Sequence, residues 1–194
     1  LKQGLARALS ILGHPLLVLP AAALVVGAAS GAGRGQLGVI GLALALLAAG
    51  IQGWSWWQVR SGRWQHVDAS QRHERRGLNR FLLVLLAGAA VYFGFVAPQP
   101  ALALGLACAA AMVAAGVVLA PWLKLSLHAA FAVFSAALLW ALGPVALGLG
   151  LAFAAAVAWS RWVLGRHRRR ELLAGVLAGA AVGLAFWWLL PRVA

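Results

Sequence analysis

His167 and Glu171 stand four residues apart, a spacing that places two side chains on one face of a helix. At that distance a carboxylate orients an imidazole and stabilises its charged form, which prepares the ring for nucleophilic or acid–base work. The pair closes a polar block, Ser160-Arg161-Trp162-Val163-Leu164-Gly165-Arg166-His167-Arg168-Arg169-Arg170-Glu171, set between two long apolar runs. The 194-residue chain has only three acidic residues against sixteen Lys and Arg, a net charge of +13. A carboxylate kept beside a histidine in so basic a chain, with arginines around both, points to chemistry on a phosphate.

Two other polar groups belong in the same consideration. One is His66-Val67-Asp68-Ala69-Ser70-Gln71-Arg72-His73-Glu74-Arg75-Arg76, and the other is Lys124-Leu125-Ser126-Leu127-His128. His128 opens an otherwise apolar stretch, where an ionisable group is costly unless it has a partner or a function. A plain structural reading is also open, in which His128 only bonds a neighbouring carbonyl. Ser126 adds little by itself, because serine commonly starts a helix. The run Arg168 to Arg170 reads most simply as an orientation signal.

The elements that must position these groups follow from composition. Hydrophobic residues make up 64% of the chain and charged residues 10%, far from the balance of a soluble domain. A helix crossing a bilayer needs roughly 20 mostly apolar residues, and stretches of that kind occur at about 9–30, 37–57, 80–97, 100–120, 126–142, 145–163 and 171–190. The expected fold is therefore all-α: a polytopic transmembrane helical bundle of about six to seven spans, forming one integral membrane domain over 1–194. The first stretch is long and contains Pro15 and Pro20, so it reads as a retained helix rather than a cleaved signal. Cys108 is the only cysteine; it lies in an Ala-rich span and reads as packing, with no intramolecular disulfide or cysteine metal site available.

If every stretch crosses once, the connections 58–79, 121–125 and 164–170 emerge on one side together with the N-terminus. That side carries fourteen of the sixteen Lys and Arg, leaving only Arg34 and Arg192 opposite. Such a bias marks the cytoplasmic face, and it explains the charge through membrane orientation and anionic lipid without nucleic acid. On the poor side, Ala97-Pro98-Gln99-Pro100 and Gly143-Pro144 predict tight hairpins. The spacing of Ala174-Gly175, Ala178-Gly179 and Gly183 predicts close helix packing. Trp54, Trp56, Trp57, Trp64, Trp122, Trp159, Trp162, Trp187 and Trp188 fall near span ends, as interfacial anchors do.

Taken in order, the three polar groups resemble the signature of the type-2 phosphatidic acid phosphatase superfamily: K-x6-R-P, then P-S-G-H, then S-R-x5-H-x3-D. The third match is close, with Ser160-Arg161, His167 and Glu171 in register and only Asp changed to Glu. Ser126-Leu127-His128 keeps the serine and histidine of the second but has Leu125 for proline and Leu127 for glycine. The first is degenerate: Asp68 occupies the lysine place before Arg75, and Arg76 replaces proline. Two spans also separate the first motif from the second. The resemblance covers about residues 60–185 and describes a divergent branch.

The resemblance implies a metal-independent membrane phosphatase. His167 would be the nucleophile, Glu171 would hold its other ring nitrogen, and His128 would serve as general acid and then base. Arg161 and Arg75, with Arg72, Arg76 and Lys124, would neutralise the phosphoryl oxygens, and Ser126 would donate a hydrogen bond. No cofactor is expected, since three acids cannot readily build a magnesium site. The expected partners are membrane lipids and a lipid phosphate, either a polyprenyl or a diacylglycerol-type phosphate or diphosphate. The expected location is a bacterial inner membrane, with the site facing the cytoplasm. Two other classes compete. An aspartate-type membrane prenyltransferase needs carboxylate clusters for magnesium, which the lone Asp68 does not supply; a transporter or non-catalytic scaffold that binds lipid phosphates would not require both histidines.

Overall fold

Away from water a backbone must satisfy its own hydrogen bonds, and long apolar runs with short connections do so as helices. The computed structural model describes residues 1–67, 69 and 71–193, with Arg72 described through its backbone only. Among these residues the chain is all-helical: α1 (Lys2–Leu12), α2 (Pro15–Ala29), α3 (Arg34–Arg60), α4 (Arg72–Val91), α5 (Pro100–Leu119), α6 (Leu127–Leu138), α7 (Pro144–Val163) and α8 (Arg169–Val193). A π-helical turn, Tyr92–Val96, prolongs α4, and a 3-10 turn, Leu139–Leu142, prolongs α6.

The five helices α3, α4 with its π turn, α5, α7 and α8 are long and apolar enough to cross a membrane. Two expected spans differ from expectation: α1 and α2 pass that test only as a pair, bent by 55°, and the stretch expected at 126–142 is the shorter apolar helix Leu127–Leu142, so the described residues hold five such helices, or six with the bent pair. Gly13-His14-Pro15 makes the elbow. Proline at the first helical position has no N–H to lose and a preset φ, and His14 ahead of it is extended at φ −65°, ψ 134°. Gly13 lies so close to the Val157 side chain that a Cβ there would collide with it.

Helix α4 begins eight residues before the expected span. Its start is fixed by Glu74, whose carboxylate accepts the Gln71 N–H at 3.0 Å and folds back to accept Gln65 N–H at 2.6 Å and His66 N–H at 3.3 Å. A buried carboxylate needs such donors, and Glu74 is fully buried. The same connection corrects one expectation about tryptophan. Trp64 is not at an interface but buried, edge-on to Trp54 at 4.9 Å, while Trp54 stacks on Phe81.

Helix α6 is the centre of the bundle. Nine of its twelve residues are buried, as suits a helix that is apolar all round, and α2, α7 and α8 pack against it. The closest approach is to α8, where Gly175, Gly179 and Gly183 form a stripe of i, i+4 spacing. A Cβ on Gly175 would sit 2.5 Å from the Ser126 carbonyl oxygen; one on Gly179 would meet the Ala130 carbonyl, and one on Gly183 the Ala137 methyl. The small residues thus pack as their spacing predicts. Both expected hairpins form tightly, with Gln99 N–H donating to Phe93 at 2.8 Å and Gly143 taking φ 102° before Pro144.

Candidate active site

The glycine stripe brings the starts of α6 and α8 together at one end of the bundle. The Ser126 N–H donates to the Glu171 carbonyl at 3.2 Å, so the second and third polar groups share a backbone hydrogen bond. The Lys124 ammonium donates to the Arg166 carbonyl at 2.8 Å, tying the connection before α6 to the one before α8. A polar cleft of about 500 Å³ lies there, lined by Lys124, Trp162, Arg166, His167 and Glu171 among others.

His167 Nδ1 is 3.1 Å from Glu171 Oε2, with the two side chains 7% and 12% exposed. An ionised carboxylate only accepts, so this contact requires the proton on Nδ1 and leaves the Nε2 lone pair open. The same Glu171 oxygen accepts the Arg168 N–H at 3.0 Å and so caps α8. Burial, then the positive charges of Lys124 and Arg161, lower the imidazole from 6.5 to about 4, against the opposing pull of the Glu171 hydrogen bond and charge. His167 is therefore neutral at physiological pH despite its carboxylate. The Lys124 ammonium is held below its ordinary range by burial and then by the Arg75 guanidinium, with Glu171 pulling the other way.

Behind the cleft, Arg161 closes the last turn of α7 and donates from Nη1 to Ser10 Oγ of α1 at 2.7 Å. His128, the second residue of α6, is half-buried with its ring edge-on to His14 at 5.2 Å and 88°. Arg161 and His167 both lie within electrostatic reach of His128. Ser126 is fully buried as the N-cap of α6, its Oγ accepting the Ala129 N–H at 3.5 Å.

In comparisons with protein-family models, curated proteins and solved structures, no match is found. The phosphatase resemblance rests on the motif residues alone.

Of the first polar group, the structure brings Arg75 near the site, since its charge bears on Lys124. Arg76 is exposed on the first turns of α4, Arg72 opens that helix by its backbone, and Asp68 lies outside the described residues. Among the described residues no three His, Cys, Asp or Glu side chains are grouped as metal ligands. Ser10 and His14 are the site neighbours that sequence reasoning misses. A usable signal was present: a histidine inside an apolar run, as in Gly13-His14-Pro15, is costly without a task.

Proposed function

We propose that this protein is an integral membrane phosphatase that hydrolyses a lipid phosphate through a phosphohistidine. The 3.1 Å contact between His167 and Glu171 at the edge of a cation-lined cleft carries this reading. In the first step the Nε2 lone pair of His167 attacks phosphorus and the bond from phosphorus to the leaving oxygen breaks. His128 delivers a proton to that oxygen. In the second step His128 takes a proton from water, whose oxygen attacks phosphorus; the P–N bond breaks and inorganic phosphate leaves. Glu171 holds Nδ1–H throughout and balances the charge on the phosphorylated ring. Arg161, Lys124 and Arg75 meet the phosphoryl oxygens, and Ser126 contributes by capping the helix that carries His128.

A membrane setting is supported by leucines and valines such as Leu42, Leu46, Val84, Leu149, Leu177 and Leu184, which are exposed along the middle of long apolar helices. Arginine over tryptophan at Arg60–Trp56, Arg63–Trp57 and Arg169–Trp162 marks the site end, and Arg192–Trp188 the other. This is the arrangement expected of interfacial anchors. A lipid tail also has a place to go. A second cleft of about 300 Å³ between α2, α6 and α7 is lined by Val18, Ala22, Ala132 and Phe153, and Val18 and Ala132 lie one turn along from His14 and His128. The charge bias favours a site on the cytoplasmic face of a bacterial inner membrane.

The test is phosphate release from a panel of polyprenyl and diacylglycerol-type phosphates by purified protein with EDTA present. His167→Gln should abolish release, and acid-labile phosphate should appear on the wild-type chain but not on this variant. Ordinary turnover by His167→Gln would remove the mechanism, and binding of the lipids without turnover by the wild type would favour a scaffold.

A further inference from the structure

Ser10, in the last turn of α1, and His14, the N-cap of α2, flank the elbow between the two helices, and each touches a different member of the site. Ser10 is buried against α7 and accepts from Arg161 Nη1 at 2.7 Å. His14 sets its ring perpendicular to that of His128, with centroids 5.2 Å apart. The His14 ring is itself held from behind. Its Nδ1 accepts the Leu16 N–H at 3.2 Å as the N-cap of α2, so the neutral ring carries its proton on Nε2. The elbow that presents it is pinned by the close approach of Gly13 to Val157 and by Pro15 at the start of α2.

The ring facing His128 is thus fixed in plane, in tautomer and in backbone position. An unsupported imidazole rotates about its outer side-chain bond through a broad range, and proton transfer demands that one nitrogen face the reacting oxygen. We propose that His14 is a positioning residue of this site: it holds the plane of the His128 imidazole toward the phosphoryl group, while Ser10 of the same elbow holds Arg161. The claim rests on the phosphatase reading for the role of His128. A helix cap alone would account for the Leu16 bond, but not for a perpendicular ring against the candidate acid and a serine on the candidate phosphate ligand.

His14→Asn separates these roles, because asparagine is among the best N-cap residues and keeps the cap while removing the ring. With dodecyl phosphate, whose alkoxide needs a proton to leave, kcat/KM, which reports only the steps through loss of the leaving group, should fall about tenfold or more, whereas kcat/KM for p-nitrophenyl phosphate should stay within about twofold. Equal losses on both substrates, or no loss on either, would overturn the proposal. If the wild type hydrolyses neither ester nor any lipid phosphate, the functional reading fails instead. The positioning contact is then decided by ¹⁵N-histidine spectra, which need no activity. In the wild type His14 should be the Nε2–H tautomer, and His14→Asn should move the His128 ring resonances while leaving His66 and His73 in place. An Nδ1–H tautomer at His14, or unmoved His128 resonances, would sink it even if the variant proved unstable or inactive.

Discussion

The His167 ring should titrate far below an ordinary histidine. His167 has its imidazole lowered to about 4 by burial and by Lys124 and Arg161, so the ring remains unprotonated well into acid. At pH 5.5 a ring of that value is about 97% neutral, where an unperturbed histidine at 6.5 would be about 9% neutral, a difference of roughly tenfold in competent enzyme. The titration of the His167 ring should have its midpoint near 4. Two variants move it in opposite directions. Lys124→Gln removes a charge that opposes protonation and shifts the midpoint up; Glu171→Gln removes the one that favours it and shifts the midpoint down. The stability consequence has a fixed sign. Between 6.5 and about 4 the unfolded ring binds a proton and the folded ring does not, so stability is full above 6.5 and lost as pH falls, by about 3 kcal/mol if the whole shift is expressed. Histidine-selective ¹⁵N titration measures the ring directly. A His167 midpoint at or above 6.5, or a downward shift in Lys124→Gln, would refute the electrostatic reasoning.

Glu171→Gln can still cap α8 through its amide oxygen but loses the charge on the imidazole, so turnover should drop strongly while Glu171→Asp retains part; unchanged rates in Glu171→Gln would reduce the carboxylate to a helix cap. His128→Ala should lower kcat/KM for alkyl phosphates by about 10² to 10⁴, with a smaller loss in kcat/KM for good leaving groups, and equal losses would count against its role as acid. Gly175→Ala forces a methyl against the Ser126 carbonyl and should cost about 1–3 kcal/mol, lowering the Tm in detergent; an unchanged Tm would show that the helices are not so closely joined. In a Cys108→Ala background, an impermeant maleimide added to intact cells should label Gln99→Cys and not Ser61→Cys, and the reverse pattern would place the site on the outer face.

Hydropathy located the long helices because each apolar run is bounded by charge or proline, and the glycine spacing on α8 announced its close contact. The elbow escaped this reading. Gly13-His14-Pro15 contains a helix-start signal, but inside an apolar run it reads as an interruption of one helix. Glu74 escaped it as well, because its carboxylate turns back on backbone groups eight and nine residues earlier and no local period records such a contact. At the site, the spacing of His167 and Glu171 announced their contact but not its form: His167 lies in the bend before α8 rather than on a helical face, and Glu171 in the first turn reaches back to it. Ser126 is buried as a helix cap, a placement that depends on how closely α8 approaches and that its type and position alone do not reveal. Ser10 and His14 reach Arg161 and His128 through tertiary packing more than a hundred residues away in sequence, which spacing cannot encode.

The glycine stripe on α8 leaves no slack in one direction. Turning α8 by one residue, about 100°, would set Val176, Ala180 and Leu184 where Gly175, Gly179 and Gly183 now face α6, and two of those three places abut carbonyl oxygens with no room for a Cβ. Helices α6 and α8 therefore behave as a single jaw, and widening of the polar cleft falls to the connections at 120–126 and 164–168. The separation between Glu171 on α8 and His128 on α6 is then a constant of the fold rather than a variable of the turnover cycle, and what a bound molecule can displace is the connection carrying His167 and the ring of cations around that fixed pair.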